Sequence, residues 1–357
     1  MDKPYLQCTK CKRKYSYDST QWCCEHCSAP LNVEYEINFS LDNIDYKQLG
    51  LWKFHNFLPP IKNKISLGEG NTPIVKISLL NKTTYLKLDY LMPTGSFKDR
   101  GSFITISRVL DLGVSKIIED SSGNAGISIA AYGRYAGLDI EIHGPIDMPR
   151  GKVEVLKKLG ATVFLMGSRV DAHKRAINRK DGLYIGHLYN PFYLEGMKTV
   201  AYELYIQLGK DAFRNIVVPI GSGTLLLGIW RGVKDLMNAG LVDGVKILGV
   251  EAAGYEEVYE NIYGRSAGYE KTEVADGLRV YNKPRLKEIV DVIRKYGDVT
   301  VVDRDMIWLA YDELWDKGFI IEPSSAATYA GAVYGIKSGF LDEPIVIILT
   351  GSGLKMI

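Results

Sequence analysis

The chain has 357 residues, 46% apolar and 24% charged, the composition of a folded protein with room for two large domains and a small one. Lys and Arg total 44 against 42 Asp and Glu, a net charge of +2, too small a surplus for a dedicated nucleic-acid binder or a membrane-surface protein. No apolar run approaches the ~18–20 residues that span a bilayer. The opening Met1-Asp2-Lys3-Pro4-Tyr5 lacks a signal peptide's apolar stretch, so the expected location is the cytoplasm.

All five cysteines fall between Cys8 and Cys27. Cys8-x-x-Cys11 and Cys24-x-x-Cys27 are two knuckles that can place four thiolates around one structural Zn²⁺. Two disulfides are the alternative, disfavoured in a reducing compartment; free or redox-active thiols are another. Cys23 and His26 are spare potential ligands, expected to be bystanders. A zinc ribbon can bind nucleic acid. Here residues 1–36 carry five Lys or Arg against five Asp or Glu, which favours a structural module with no nucleic-acid partner.

Residues 40–65, with Pro59-Pro60, read as a connector. Beyond them, strand-length apolar runs alternate with amphipathic stretches of helix length. Strands are expected at 85–88, 116–119, 140–143, 162–165, 184–187, 215–218, 246–250 and 345–349. Helices are expected at 102–112, 125–136, 152–159, 171–179, 199–208, 225–237, 306–315 and 326–338. Gly113, Gly137, Gly160, Gly209, Gly240 and Gly339 supply helix stops. Such alternation predicts an α/β protein of mostly parallel sheets covered by helices.

Ligands of parallel α/β sheets bind beyond the strands' carboxyl ends, and four strand-to-helix junctions stand out. Pro93-Thr94-Gly95-Ser96-Phe97-Lys98-Asp99-Arg100-Gly101 holds a lysine at a helix start. There the dipole favours the neutral amine that a Schiff-base lysine requires; an ordinary surface lysine is the alternative. Ser121-Ser122-Gly123-Asn124-Ala125-Gly126 offers hydroxyls and amides to an anion such as a carboxylate, or is a simple helix cap. Gly221-Ser222-Gly223-Thr224 can wrap backbone amides around a phosphate, or is a structural turn. Thr350-Gly351-Ser352-Gly353 places a hydroxyl after the last strand. Together these provide an amine nucleophile, a phosphate cradle, an anion pocket and a hydroxyl for a ring nitrogen, the set that pyridoxal phosphate uses.

At this point the sequence resembles the fold-type II pyridoxal-phosphate enzymes, and within them the threonine synthases. The resemblance covers roughly residues 66–357. It rests on the segments just quoted, on Gly68-Glu69-Gly70-Asn71-Thr72-Pro73, on Asn190-Pro191-Phe192-Tyr193-Leu194-Glu195-Gly196 and on Glu322-Pro323-Ser324-Ser325-Ala326. A cysteine ribbon ahead of this domain is also seen in threonine-synthase-like proteins. The resemblance implies that Lys98 bonds the cofactor and shuttles protons, and that Asn124 hydrogen-bonds its 3′-oxygen. It implies that Gly221, Ser222, Gly223, Thr224 and Leu225 bind its phosphate and that Thr350 faces the ring nitrogen. Ser121, Ser122 and Ala125 would line the substrate carboxylate, with Tyr193 in the substrate pocket.

The implied architecture is two parallel-sheet, three-layer domains behind the zinc-ribbon-like module: ribbon 1–40, connector 41–65, a large cofactor domain of 66–103 and 196–357, and a small mobile domain of 104–195. The expected assembly is a homodimer acting on a small amino acid, with no membrane partner. The sequence departs from the threonine synthase pattern at Met92, at Ser352 and above all at Tyr193, where those enzymes commonly carry an arginine that holds the phosphate of O-phosphohomoserine. Arg169, Lys174, Arg175 and Lys198 are candidate replacements, or else solvated side chains. Lys87 is the nearest rival to Lys98 and is expected to be solvated. Three readings result: threonine synthase, a β-replacing or β-eliminating enzyme acting on serine, O-phosphoserine or threonine, and a non-catalytic homologue.

Overall fold

The computed structural model describes residues 3–121, 123–210 and 213–356. Among them the strands are β1 (Tyr5–Cys8), β2 (Lys14–Ser16), β3 (Leu31–Glu34), β4 (Ile74–Leu79), β5 (Lys82–Leu88), β6 (Lys116–Asp120), β7 (Asp139–Gly144), β8 (Thr162–Leu165), β9 (Leu183–Tyr184), β10 (Asn215–Pro219), β11 (Lys246–Ala252), β12 (Gly297–Val302) and β13 (Ile345–Leu349). The chain divides into two compact units. One comprises the residues up to Gly70 and Lys98–Gly196; the other comprises Asn71–Phe97 and the chain from Met197 onward. One of the divisions falls between Phe97 and Lys98, ahead of the helix Asp99–Asp111.

The first unit holds two sheets. β2-β1-β3 is antiparallel, with Leu6 and Cys8 of β1 turned inward. β8-β7-β6-β9 is wholly parallel. Its central strand β6 carries Ile117 and Ile118 fully buried, as strands covered on both faces require. The cysteine ribbon is built into this unit. Leu6, Cys8, Cys24, Leu31 and Val33 cluster with Phe192. Trp22 meets Tyr184, Tyr189 and His173 edge-on, at centroid distances of 5.0, 5.1 and 6.4 Å. The Arg108 guanidinium lies 4.3 Å over the Tyr17 ring and donates to the Tyr17 carbonyl at 2.7 Å and the Asp18 carboxylate at 2.8 Å. The expected connector is packed as well. Its 3₁₀ helix Gly50–Phe57 buries Leu51, Trp52, Phe54 and Phe57, and the Lys62 and Asn63 amides donate to Asp111.

The second unit is built on the sheet β12-β11-β10-β13-β5-β4, parallel except for the edge strand β4, which runs antiparallel to β5. Val217 of β10 sits between Leu248 of β11 and Ile347 of β13. The helix Pro323–Lys337 packs close on this sheet because it presents glycine: a Cβ at Gly331 would lie 2.3 Å from Val250.

The expected strands recur with small shifts, apart from 184–187, which shrinks to Leu183–Tyr184. Gly186 has φ +56° and ends the run, and the His187 amide turns to the Glu119 carboxylate. The six expected stop glycines all have φ between 68° and 80°. β4, β12 and the helices Pro191–Met197, Glu257–Tyr263 and Leu286–Tyr296 lie beyond the sequence-based expectation. Among the described residues no helix is long and apolar enough to cross a membrane.

Candidate active site

In the first unit, Lys98 ends a glycine turn and opens the helix Asp99–Asp111. Its carbonyl accepts the Gly101 and Ser102 amides at 3.0 and 3.1 Å. The next loop follows β6 and opens the helix Asn124–Tyr135. Asn124 is its half-buried first residue and Ala125 is buried behind it. The Ser121 hydroxyl accepts the Gly126 amide at 3.0 Å, so this serine shapes the loop. Ser122 lies outside the described residues. The two helices are tied at depth: the Ser128 hydroxyl donates to the Asp99 carboxylate at 2.6 Å and lies 2.7 Å from the Ser102 hydroxyl.

In the second unit, Gly221-Ser222-Gly223 turns from β10 into the fifteen-residue helix Thr224–Asn238. Gly223 sits at φ +82°, and a Cβ there would lie 2.1 Å from Ile289, so only glycine fits. The Ser222 and Thr224 hydroxyls are buried, 3.0 Å apart, and Leu225 is buried behind them. Backbone amides at a helix start, two hydroxyls and no acidic side chain make a donor set suited to a phosphate.

Thr350 directly follows β13 and is buried. Its amide and that of Gly351 donate to the Ser325 hydroxyl oxygen at 3.0 and 2.8 Å. Its carbonyl accepts the Phe97 amide at 3.0 Å. Ser96 pairs with Gly351, the Ser352 amide donates to the Gly95 carbonyl at 3.0 Å, and Lys355 Nζ donates to the same carbonyl at 2.8 Å. The turn that carries the candidate ring-nitrogen hydroxyl is thus laced to the turn that leads into Lys98. The roles of Ser325 and Lys355 escaped the sequence reading, although Ser325 lies in a quoted motif.

Two expectations are corrected. Lys87 is not solvated: it is fully buried, and its ammonium donates to the Thr72 carbonyl, Gln207 and Glu203 at 2.8, 2.8 and 3.0 Å. Burial and three acceptors make it a structural cation. Lys198 is also buried, 2.7 Å from Asp235, whereas Arg169, Lys174 and Arg175 are exposed.

Tyr193 is fully buried in the first unit. Its hydroxyl donates to the Lys98 carbonyl at 3.1 Å.

The ribbon's four paired cysteines come together: the sulfurs of Cys8, Cys11, Cys24 and Cys27 all lie within 4.8 Å of one another. No disulfide joins them. Burial works against the Cys24 thiolate, but the Tyr15 hydroxyl and the Cys27 and His26 amides outweigh it and bring its pKa down to about 6. Four such sulfurs suit a tetrahedral metal, and the set can hold a Zn²⁺. Cys23 stands outside this group, and burial pushes its thiol up to about 11.

Residues 65–351 match the family of pyridoxal-phosphate dependent enzymes. The chain belongs to that family and is a pyridoxal-phosphate enzyme. Threonine synthases of Methanosarcina acetivorans and Methanocaldococcus jannaschii are 29% and 30% identical to it. Each aligns over 98% of this chain and 92% of its own length. The solved structure of maize serine racemase superposes with a TM-score of 0.67 at 25% identity, covering 80% of this chain and 88% of that one.

Proposed function

We propose that this chain is a threonine synthase, converting O-phosphohomoserine and water into threonine and phosphate. The observation that carries the reading is the alignment of two threonine synthases over 98% of the chain, an extent that takes in the ribbon as well as the catalytic region. We assign Lys98, Asn124, the Gly221–Leu225 turn and Thr350 to the cofactor. Bound there, pyridoxal phosphate supplies an electron sink for the carbanion at the substrate's α-carbon. A neutral hydroxyl from Thr350 at the ring nitrogen moderates that sink, which suits elimination and replacement over transamination. Lys98 Nζ takes the protons from Cα and Cβ, phosphate leaves from Cγ, Cγ is protonated to the methyl group, and water adds its hydroxyl to Cβ as a proton returns to Cα. The Ser121–Ala125 loop receives the substrate carboxylate through its amides. The zinc of the ribbon is structural.

One observation favours a β-replacing or β-eliminating enzyme instead: Tyr193 stands where threonine synthases commonly place an arginine, and it contributes no charge. A charge-assisted contact to phosphate is worth ~1.5–3 kcal/mol. Comparing kcat/KM for O-phosphohomoserine, O-phosphoserine, serine and threonine separates the two readings, because specificity is differential transition-state binding. Threonine synthase requires O-phosphohomoserine to lead. Preferred turnover of serine or O-phosphoserine selects the second reading. We assign the protein to the cytoplasm as a homodimer without a nucleic-acid partner, from the ribbon's balanced charge and the family resemblance; light scattering with and without added RNA checks the assembly.

A further inference from the structure

We infer that Tyr193 is a positioning residue for Lys98 and makes no substrate contact; the inference rests on the assignment of Lys98 as the cofactor lysine. Three observations in the first unit converge on it. The Tyr193 hydroxyl donates to the Lys98 carbonyl at 3.1 Å, the same oxygen that accepts the Gly101 and Ser102 amides. The ring lies flush on the next turn: a Cβ at Gly101 would come within 2.5 Å of it. Three residues on, the backbones touch, since a Cβ at Gly196 would lie 1.8 Å from the Arg100 carbonyl oxygen. The short helix Pro191–Met197 therefore clamps the first turn of the lysine helix, and the Asn190 side chain sets the clamp by accepting the Phe192 and Tyr193 amides at 3.0 and 3.2 Å.

The chemistry of the position explains a phenol there. The site is closed to water, and the Tyr193 ring packs against the His187 ring, 5.7 Å between centroids. His187 is in turn held 2.6 Å from the buried Glu119 carboxylate. Burial and the nearby Glu119 and Asp99 keep the Tyr193 hydroxyl protonated, so it serves as a permanent neutral donor. A guanidinium in the same space would be a buried charge. With its one proton committed to Lys98, Tyr193 has none left for a substrate phosphate.

Tyr193→Phe tests this, because it keeps the ring on Gly101 and removes only the hydroxyl. Purified native and variant proteins are loaded with pyridoxal phosphate and briefly reduced with borohydride without substrate, and the label on the Lys98 peptide is quantified. Steady-state kinetics and thermal unfolding follow on the same samples. The positioning role predicts a lower labelling yield at Lys98 and a kcat reduced about tenfold, within what a slightly misplaced catalytic group costs, with KM within about twofold of native. Native labelling and native kcat with a raised KM would make Tyr193 a substrate contact and overturn the inference. So would a variant that differs only in melting temperature, which would reduce the hydroxyl to a stability role. A native protein that carries no label on Lys98 would overturn the cofactor assignment itself, a failure visible before the variant is compared.

Discussion

The Thr350 carbonyl accepts the Phe97 amide at 3.0 Å. One turn presents a hydroxyl at the end of β13; the other delivers the chain into Lys98. Ser325 holds the first turn with a single oxygen that accepts both the Thr350 and Gly351 amides. Ser325→Ala leaves two buried amides unpaired, at ~1–3 kcal/mol each. The expected result is a melting temperature lower by several degrees and weaker pyridoxal-phosphate binding in a cofactor titration. Unchanged binding would show that the turn is held by its other contacts.

The ribbon should carry about one zinc per chain. Elemental analysis of native and Cys24→Ser protein checks this: the variant should lose the metal and, with it, stability, since a structural zinc contributes folding energy. Metal-free native protein containing disulfides would contradict the assignment.

Trp22 ties that ribbon to the rest of the first unit through Tyr184, Tyr189 and His173. Tyr184 hydrogen-bonds Asp120, the residue before Ser121. Trp22→Ala removes this wedge, and large-to-small aromatic substitutions of this kind cost about 3 kcal/mol. Hydrogen exchange should show faster opening in β6 and in the Ser121–Gly126 loop. Protection lost in the ribbon alone would mean that the wedge does not couple the two.

The four candidate junctions were legible because each is a local run of glycine, hydroxyl and amide residues placed after an apolar strand, and strand ends are where parallel sheets bind ligands. The contacts that set those junctions were not legible. Tyr193 reaches Lys98 across 95 residues of sequence, and nothing in either segment announces the pairing. Lys87 looked solvated beside Tyr85 and Asp89, but β5 lies inside a sheet, and its acceptor Glu203 arrives 116 residues later. The docking of Trp22 is hidden for the same reason: its partners lie on a strand, a helix and a turn that come together only in the folded unit.

Tyr193→Arg, which would restore the residue common in threonine synthases, places a charge in a fully buried site packed on Gly101. Taking a guanidinium out of water there costs several kcal/mol, which the nearby Asp99 and Glu119 carboxylates offset only in part. The variant should melt well below the native protein and use O-phosphohomoserine no better. A stable variant with improved O-phosphohomoserine turnover would show that the native tyrosine selects against that substrate.

Isotope placement distinguishes threonine synthesis from every other fate of O-phosphohomoserine. The enzyme is incubated with O-phosphohomoserine in ¹⁸O-labelled water, and both products are analysed by mass spectrometry. Threonine synthase chemistry cleaves the Cγ–O bond and adds water at Cβ. It therefore predicts one ¹⁸O in the threonine hydroxyl and none in the phosphate formed by the enzyme. Labelled phosphate accompanied by homoserine, or no threonine at all from a fully loaded enzyme, would contradict the account.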